Sequence, residues 1–265
     1  MVKIKKYDGT LAEFDINRVK DTLERINTRE EIKNKILENL AKKVKEKMTT
    51  GQIYKLVFTM LKKSQRKVAS KYSLKKAIAD LGPKGYNFED FLCRLLTEKG
   101  YKTQIRKVLN GEVITHEIDI LAARENETTA IECKFHQNPH TYSPIQTALY
   151  VYARFLDVVE GYNKGTEKTK LDKIMIATNT RFSKDAITYS DSKGIELLSW
   201  DYPKGKGIKD IVDEKGIYPI TVLTTLSKHE KTMLLKKGLV LVKDLTQKHV
   251  KSRVMNEINE LLGEA

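Results

Sequence analysis

The sequence predicts an α/β protein with a mixed-sheet core, a small N-terminal domain made of one hairpin and several helices, and a short helical C-terminal segment. Strand-like alternation fills residues 103–134 and is flanked by helical patterns. The N-terminal segment instead combines two short strands with helical periodicity. Breaks rich in Gly and Pro at 81–85 and 202–207 separate the segments. We therefore predict domains at 1–82, 86–205 and 216–265.

Composition limits the class of protein. Of the 265 residues, 40% are hydrophobic and 32% are charged, which is typical of a globular chain with a sizeable core. No window reaches the roughly 18 consecutive apolar residues of a membrane-spanning helix, and the N-terminus lacks the apolar region of a secretory signal. The two cysteines, Cys93 and Cys133, are too few for a disulfide framework and form no CxxC pair. We expect a cytoplasmic protein with no membrane partner.

Positive charge is concentrated in the first third of the chain. Residues 1–85 hold 22 Lys or Arg against 10 Asp or Glu, a net charge of +12 out of +14 for the chain. Residues 86–215 hold 19 against 20, a net charge of −1. Polyphosphate, as a nucleotide or as a nucleic-acid backbone, is the usual partner of such a surplus. A solvated, lysine-rich helical surface would explain the same composition.

The N-terminal segment begins with a predicted hairpin. Strands at 2–6 and 11–14 flank Tyr7-Asp8-Gly9-Thr10, a turn in which glycine accepts positive φ. Asp15 then caps a helix. Apolar residues at helical spacing predict further helices over 32–47 and 53–62.

This segment resembles the ATP-cone, the nucleotide-sensing module of ribonucleotide reductases and of some transcriptional regulators. The resemblance depends on residues 2–9, 13–15, 18–19, 50–53 and 72–77. Family members usually have Lys-Arg-Asp-Gly in the hairpin and Lys at the position of Arg18, so this chain departs from the pattern but keeps the charge. The resemblance implies that Lys6 and Arg18 hold the phosphates of ATP or dATP, a suitable role for two cations beside a helix N-terminus. A degenerate cone used for dimerisation or DNA docking is the alternative.

The middle segment opens with a helix whose apolar face carries Glu89 at its edge. A later helix carries Gln146 and Tyr150 at i, i+4, and therefore on one face. Alternation or apolar runs predict strands over 103–109, 113–123, 129–134, 174–178 and 194–200, with a helix beginning near residue 182.

Acidic residues recur on two of these strands. Glu117 and Asp119 share one face of the second strand, because alternate residues of a strand point to opposite sides. Glu132 and Lys134 likewise share a face of the third. Two carboxylates on neighbouring strands can hold a hard cation such as Mg²⁺, and a nearby lysine can orient water or neutralise a transition state. The alternative is a surface strand with alternating charge.

The pattern of Asp119, twelve residues, then Glu132-x-Lys134 resembles the PD-(D/E)xK nuclease superfamily. Further features at 88–89, 100–101, 117–119, 131–134 and 146–150, in the expected order, resemble its Mrr-like restriction endonuclease branch, which is itself similar to archaeal Holliday-junction resolvases. One departure is Ile118, where many members have Pro.

The resemblance implies a restriction-endonuclease-like core that hydrolyses DNA phosphodiester bonds with Mg²⁺ or Mn²⁺. Asp119 and Glu132 would hold the metal, with Glu89 completing or bridging its shell. Lys134 would act on the water or the transition state, and Gln146 would support the site. A homodimer is also implied.

Two weaker patterns concern three histidines and the C-terminal segment. His116, His136 and His140 show no zinc-ligand spacing, so we expect each at the surface or on DNA. Residues 223–245 predict a helix, a turn at Gly238 and a second helix, similar to a helix-hairpin-helix unit that meets a DNA phosphate. A helical pair completing the core, or a dimer contact, is an equal alternative.

Together these features predict a metal-dependent DNA endonuclease regulated by ATP or dATP. The N-terminal segment has no GxxxxGK[ST] loop, so we expect the nucleotide to regulate rather than to be hydrolysed. Two alternatives stay open. One is a nucleotide-responsive DNA-binding regulator that does not cleave, and the other is a junction-selective repair nuclease.

Overall fold

The computed structural model describes residues 2–6, 8–83 and 85–263. Tyr7 of the predicted turn and Lys84 of the predicted break lie outside the described residues. The first half contains β1 (Lys3–Lys5), β2 (Leu11–Glu13), α1 (Ile16–Arg25), α2 (Glu30–Lys43), α3 (Thr50–Ser64), α4 (Arg66–Ala79), α5 (Tyr86–Glu98), β3 (Lys102–Asn110), β4 (Thr115–Arg124) and β5 (Glu127–Lys134). The second half contains β6 (Tyr142–Ser143), α6 (Ile145–Asn163), β7 (Lys173–Thr178), β8 (Arg181–Phe182), α7 (Lys184–Lys193), β9 (Glu196–Leu198), α8 (Ile208–Lys215), α9 (Lys228–Lys236) and α10 (Ser252–Leu262).

The chain divides into two compact units. The first unit comprises Met1–Leu74, Val222–Glu230 and Leu245–Ala265, and the second comprises Lys75–Thr221 and Lys231–Asp244. The domain boundaries expected from the sequence stay a prediction.

The first unit is a two-stranded hairpin with helices. β1 and β2 pair antiparallel, with Ile4 opposite Ala12. The Asp15 side chain accepts a hydrogen bond from the Asn17 amide at 3.0 Å and caps α1, as the sequence predicts. Its core includes apolar residues spaced along α1 to α4: Leu23, Ile36, Leu40, Val57, Leu61 and Ala69.

The second unit is built on a five-stranded mixed sheet, which confirms the predicted α/β class. The strand order is β3-β4-β5-β7-β9, with the first three antiparallel and the last three parallel. β5 is central and buried through most of its length, whereas β3 is an exposed edge strand. Phe88, Phe91 and Leu92 are fully buried on α5, as their helical spacing predicts.

The segment after Gly238 differs from the predicted second helix. Gly238 ends α9 with φ +74°. Residues that follow it then pair with an earlier segment: the Ile220 amide donates to the Val240 carbonyl and the Val242 amide donates to the Tyr218 carbonyl, both at 2.8 Å. A single 3-10 turn, Val242–Asp244, takes the place of the helix. The Val240 carbonyl and the Val242 amide, which a helix would use internally, instead form this short pairing.

Within the described residues, no helix combines the length and the apolar character needed to cross a membrane.

Candidate active site

The predicted acidic residues lie where two central strands separate. β4 and β5 are paired as far as Ile120↔Ile131. Asp119 and Glu132 come directly beyond that pair. The Cys133 amide donates to Asp119 Oδ2 at 2.7 Å, so the Asp119 carboxylate lies against β5. The open end of the β4–β5 pair therefore brings the two carboxylates together.

Both oxygens of Glu132 contact cations. Lys134 Nζ donates to Oε1 at 2.6 Å and Arg154 Nη1 donates to Oε2 at 2.6 Å. Glu132 itself is only 9% exposed. A carboxylate at this depth requires such partners, because burying an unpaired charge is costly.

Sequence reasoning missed Arg154. Gln146, Tyr150 and Arg154 recur at i, i+4 and i+8 along α6, a spacing that lines one helix face. The guanidinium of Arg154 lies 5.2 Å from the centre of the Tyr150 ring. Extending the Gln146–Tyr150 pair by one helical turn is the signal that could have identified it.

Glu89 is a buried carboxylate of α5, with 8% of its surface exposed. Arg106 on β3 donates through Nε to Glu89 Oε2 at 3.0 Å and through Nη2 to Asp90 Oδ1 at 2.9 Å. Arg106 has φ +51°, a left-handed conformation that is uncommon for a residue with a Cβ atom. Its role was also missed, since nothing in the alternation of β3 distinguishes it.

The pKa values of Asp119 and Glu89 are both raised. Burial, and then the charge of Glu132, raise the pKa of Asp119 to about 6. Burial, and then the charge of Asp119, raise the pKa of Glu89 to about 6, against the opposing effect of Arg106. A divalent cation would relieve this repulsion.

The oxygen donors present suit a hard cation. Mg²⁺ commonly binds one or two protein carboxylates and completes its shell with water and substrate phosphate, so Asp119 and Glu132 fit it chemically. Across residues 2–6, 8–83 and 85–263, no group of three or more His, Cys, Asp and Glu side chains is placed to hold a metal ion. Glu89 as a further ligand stays a prediction.

Gln146 lies in the first turn of α6 and is exposed. Among the contacts of the described residues, none joins its side chain to Asp119, Glu132 or Lys134. Its supporting role stays a prediction.

The expectation that His116 lies at the surface is wrong. His116 is 8% exposed, and its Nε2 lies 2.7 Å from Asp157 Oδ2 on α6. The Asp157 carboxylate also accepts from the Val113 amide at 3.0 Å. Asp157 therefore ties α6 to the turn between β3 and β4, a partner 41 residues away in sequence that no local pattern indicates.

The two proposed nucleotide-binding cations lie in the first unit. Lys6 follows β1 and its amide donates to the Thr10 carbonyl at 2.8 Å. Arg18 lies on α1, 82% exposed, with its Nε 3.7 Å from Asp15 Oδ2. Both side chains are solvent-accessible.

The middle of the chain belongs to a known class of domain. Residues 83–202 match the Mrr_cat family, described as restriction endonuclease. This range contains α5, the five-stranded sheet, α6 and the acidic residues at the end of the β4–β5 pair. The chain therefore contains a restriction endonuclease domain, and the predicted Mrr-like resemblance is confirmed.

Matches that cover other or longer parts of the chain are also found. Residues 218–262 match the family described as AF1548-like, C-terminal. An uncharacterized protein of Archaeoglobus fulgidus is 40% identical over 154 residues, or 58% of this chain and 83% of that protein. The crystal structure of AF1548, a protein of unknown function, has 34% identity and a TM-score of 0.56, covering 69% of this chain and 100% of that one. The chain belongs to this AF1548-like family.

A more distant likeness is to the MspJI restriction endonuclease in complex with a 27-mer oligonucleotide. Its identity is 12% and its TM-score is 0.36, over 72% of this chain and 39% of that chain. These values are too low for a comparison of function.

Proposed function

We propose that the restriction endonuclease domain hydrolyses phosphodiester bonds in DNA with Mg²⁺ or Mn²⁺. The observation that carries this proposal is the position of Asp119 and Glu132 at the open end of the β4–β5 pair, with Lys134 Nζ 2.6 Å from Glu132. Carboxylates and a lysine held together at the end of a buried strand are typical of a functional site and not of an ordinary surface strand.

Each side chain has a definite role in the proposed reaction. Asp119 and Glu132 would hold the cation through their oxygens, with Glu89 as the third carboxylate. The chemistry that a divalent cation supplies is a polarised phosphate and a water of lowered pKa. Lys134 would orient the attacking water or stabilise negative charge on the reacting phosphate. Gln146, one helical turn before Tyr150 on α6, would support this arrangement.

We further propose that the first unit binds ATP or dATP as a regulatory ligand. Its support is the ATP-cone resemblance, the exposed cations Lys6 and Arg18, and the net charge of +12 over residues 1–85. Cations that face solvent beside a helix N-terminus suit phosphate groups. Binding would alter DNA cleavage or assembly, and we expect the working form to be a homodimer.

Two other functions are consistent with the same residues. A nucleotide-responsive DNA-binding regulator would bind DNA without cutting it. A repair nuclease would prefer branched DNA to linear DNA. The intact acid–x–Lys set argues against the regulator, which would have no use for it. The repair nuclease would use the set in the same way as the proposed endonuclease.

The test is plasmid cleavage with Mg²⁺ or Mn²⁺ by the full chain, alongside Asp119→Ala and Lys134→Ala, with and without ATP. We expect wild type to cut and both variants to lose cleavage. Linear, methylated and branched substrates, tested in parallel, would separate restriction from junction cleavage. If wild type binds DNA but cuts none of these substrates, the regulator replaces the endonuclease. Cleavage and sedimentation that do not change across an ATP titration would overturn the regulatory role.

A further inference from the structure

The strands that carry Asp119 and Glu132 are no longer paired through their backbones at the site. The β4–β5 ladder ends at Ile120↔Ile131. The spacing of the two carboxylates therefore depends on contacts other than sheet hydrogen bonds. One such contact is the Cys133 amide to Asp119 Oδ2, at 2.7 Å.

Arg154 provides a second contact across the same opening. Its Nη1 donates to Glu132 Oε2 on β5 at 2.6 Å, while its Nη2 donates to the Glu117 carbonyl on β4. The side chain is only 15% exposed, and the guanidinium lies against the Tyr150 ring. A planar guanidinium with two donors directed at two acceptors fixes their separation more firmly than a flexible point charge does.

Charge alone does not explain this placement. Lys134 already neutralises the Oε1 side of Glu132, at 2.6 Å. A second cation on the same carboxylate would repel a divalent metal bound there. Bridging of the two strands is the feature that Arg154 adds and Lys134 cannot provide, because Lys134 and Glu132 both lie on β5.

We infer that Arg154 is a positioning residue that sets the separation of β4 and β5, and with it the spacing of the Asp119 and Glu132 carboxylates. This inference rests on the proposed metal-dependent activity. Mg²⁺ demands near-ideal geometry from its ligands, so a small change in the spacing of two carboxylates weakens binding. Residues that orient metal ligands typically change metal affinity or activity by about 10- to 100-fold when replaced.

The test keeps the charge and removes the planar bridge. In Arg154→Lys we expect Mn²⁺ affinity, measured by calorimetry without DNA, to fall by about tenfold or more. Amide hydrogen exchange at Cys133 should accelerate, because its acceptor Asp119 loses its fixed position relative to β5. The Ile176 amide on β7 serves as an internal reference for the sheet.

Arg124→Lys is the matched control. Arg124 lies at the opposite end of β4, stacks 4.5 Å from the centre of the Tyr101 ring, and has its Nε 3.5 Å from an exposed glutamate. It is therefore an arginine in a similar aromatic and ionic setting that bridges no strands at the site. We expect its Mn²⁺ affinity and its Cys133 exchange rate to match those of wild type.

The outcomes are separable. Wild-type Mn²⁺ affinity and Cys133 exchange in Arg154→Lys would overturn the inference, since charge would then be sufficient. If the lysine variant does not fold, Arg154→Gln is measured by exchange, and an unchanged Cys133 rate would overturn the inference equally. A wild-type protein that neither binds Mn²⁺ nor cuts DNA would refute the proposed function, while Cys133 exchange would still decide whether Arg154 holds the strands.

Discussion

Replacing Gly161 by alanine tests how closely α6 approaches the turn between β3 and β4. A Cβ atom at Gly161 would lie 2.7 Å from the Asn110 carbonyl oxygen and 2.7 Å from the Gly111 carbonyl carbon. Both are backbone atoms, so no side chain can rotate away. Overpacking of this kind costs about 1–3 kcal/mol. The gain in helix propensity from Gly to Ala offsets about 1 kcal/mol of that.

We therefore expect Gly161→Ala to destabilise the protein by up to about 2 kcal/mol, the difference between these two effects. At this chain length that corresponds to a melting temperature lower by up to roughly 8 °C. Gly51→Ala in α3 is the matched control, because its Cβ would meet only Thr49 Oγ1 at 3.8 Å. There the helix propensity acts alone, and we expect slight stabilisation. Stabilisation of Gly161→Ala equal to that of Gly51→Ala in thermal and urea unfolding would refute the close approach.

Two further predictions concern the two units separately. In the first unit, burial alone would raise the pKa of Glu257, but hydrogen bonds from Thr225 and Thr224 outweigh it and hold the pKa below its ordinary value of 4.5. A depressed pKa stabilises the fold above the unfolded value and loses that effect as pH falls. The free energy of unfolding in urea should therefore be roughly 1–3 kcal/mol higher for wild type than for Glu257→Gln near neutral pH. This difference should disappear below about pH 4.5. A difference that does not change with pH would contradict the prediction. In the second unit, Phe88 is fully buried, and its ring centre lies 5.7 Å from that of Phe135. Phe88→Ala should therefore lower the free energy of unfolding by about 3–5 kcal/mol. A loss below about 1 kcal/mol would show that the site collapses around the cavity.

Local patterns were sufficient to predict the five strands of the main sheet and their acidic residues, although not the short strands β6 and β8. Glu132 and Lys134 are two residues apart on β5, so the pleat places them on one face, where they are in contact. The cap at Asp15 and the buried face of α5 are similarly local. These features need no knowledge of which elements pack together.

Contacts between distant elements could not be predicted in this way. Arg154 meets Glu132, 22 residues away, only because α6 packs on the sheet at that point. His116 shares the buried face of β4 with Ile118, but its partner Asp157 lies 41 residues away on α6. Arg106 has a positive φ and donates to Glu89 and Asp90. These contacts depend on the position of α5. In each case the sequence contains the residue, but the partner depends on tertiary packing.

The asymmetry between the two central carboxylates leads to a prediction about stability in the absence of metal. Glu132 is compensated by Lys134 and Arg154, each at 2.6 Å. Among the contacts of the described residues, Asp119 accepts a hydrogen bond from the Cys133 amide at 2.7 Å. Glu132 repels Asp119, and Lys134 and Arg154 each attract it less strongly than Glu132 repels it. Neutralising Asp119 should remove repulsion, whereas neutralising Glu132 should leave two cations without their partner.

In EDTA at neutral pH, we therefore expect the melting temperatures to follow the order Asp119→Asn above wild type above Glu132→Gln. Hydrogen bonds to charged groups contribute about 1.5–3 kcal/mol each, so the loss in Glu132→Gln should be readily measured. Adding Mn²⁺ should then raise the melting temperature of wild type but of neither variant, because a ligand stabilises the state that binds it. If Asp119→Asn were less stable than wild type without metal, the Asp119 carboxylate would be acting as a structural acceptor for β5, and a cation would not be needed to explain its position.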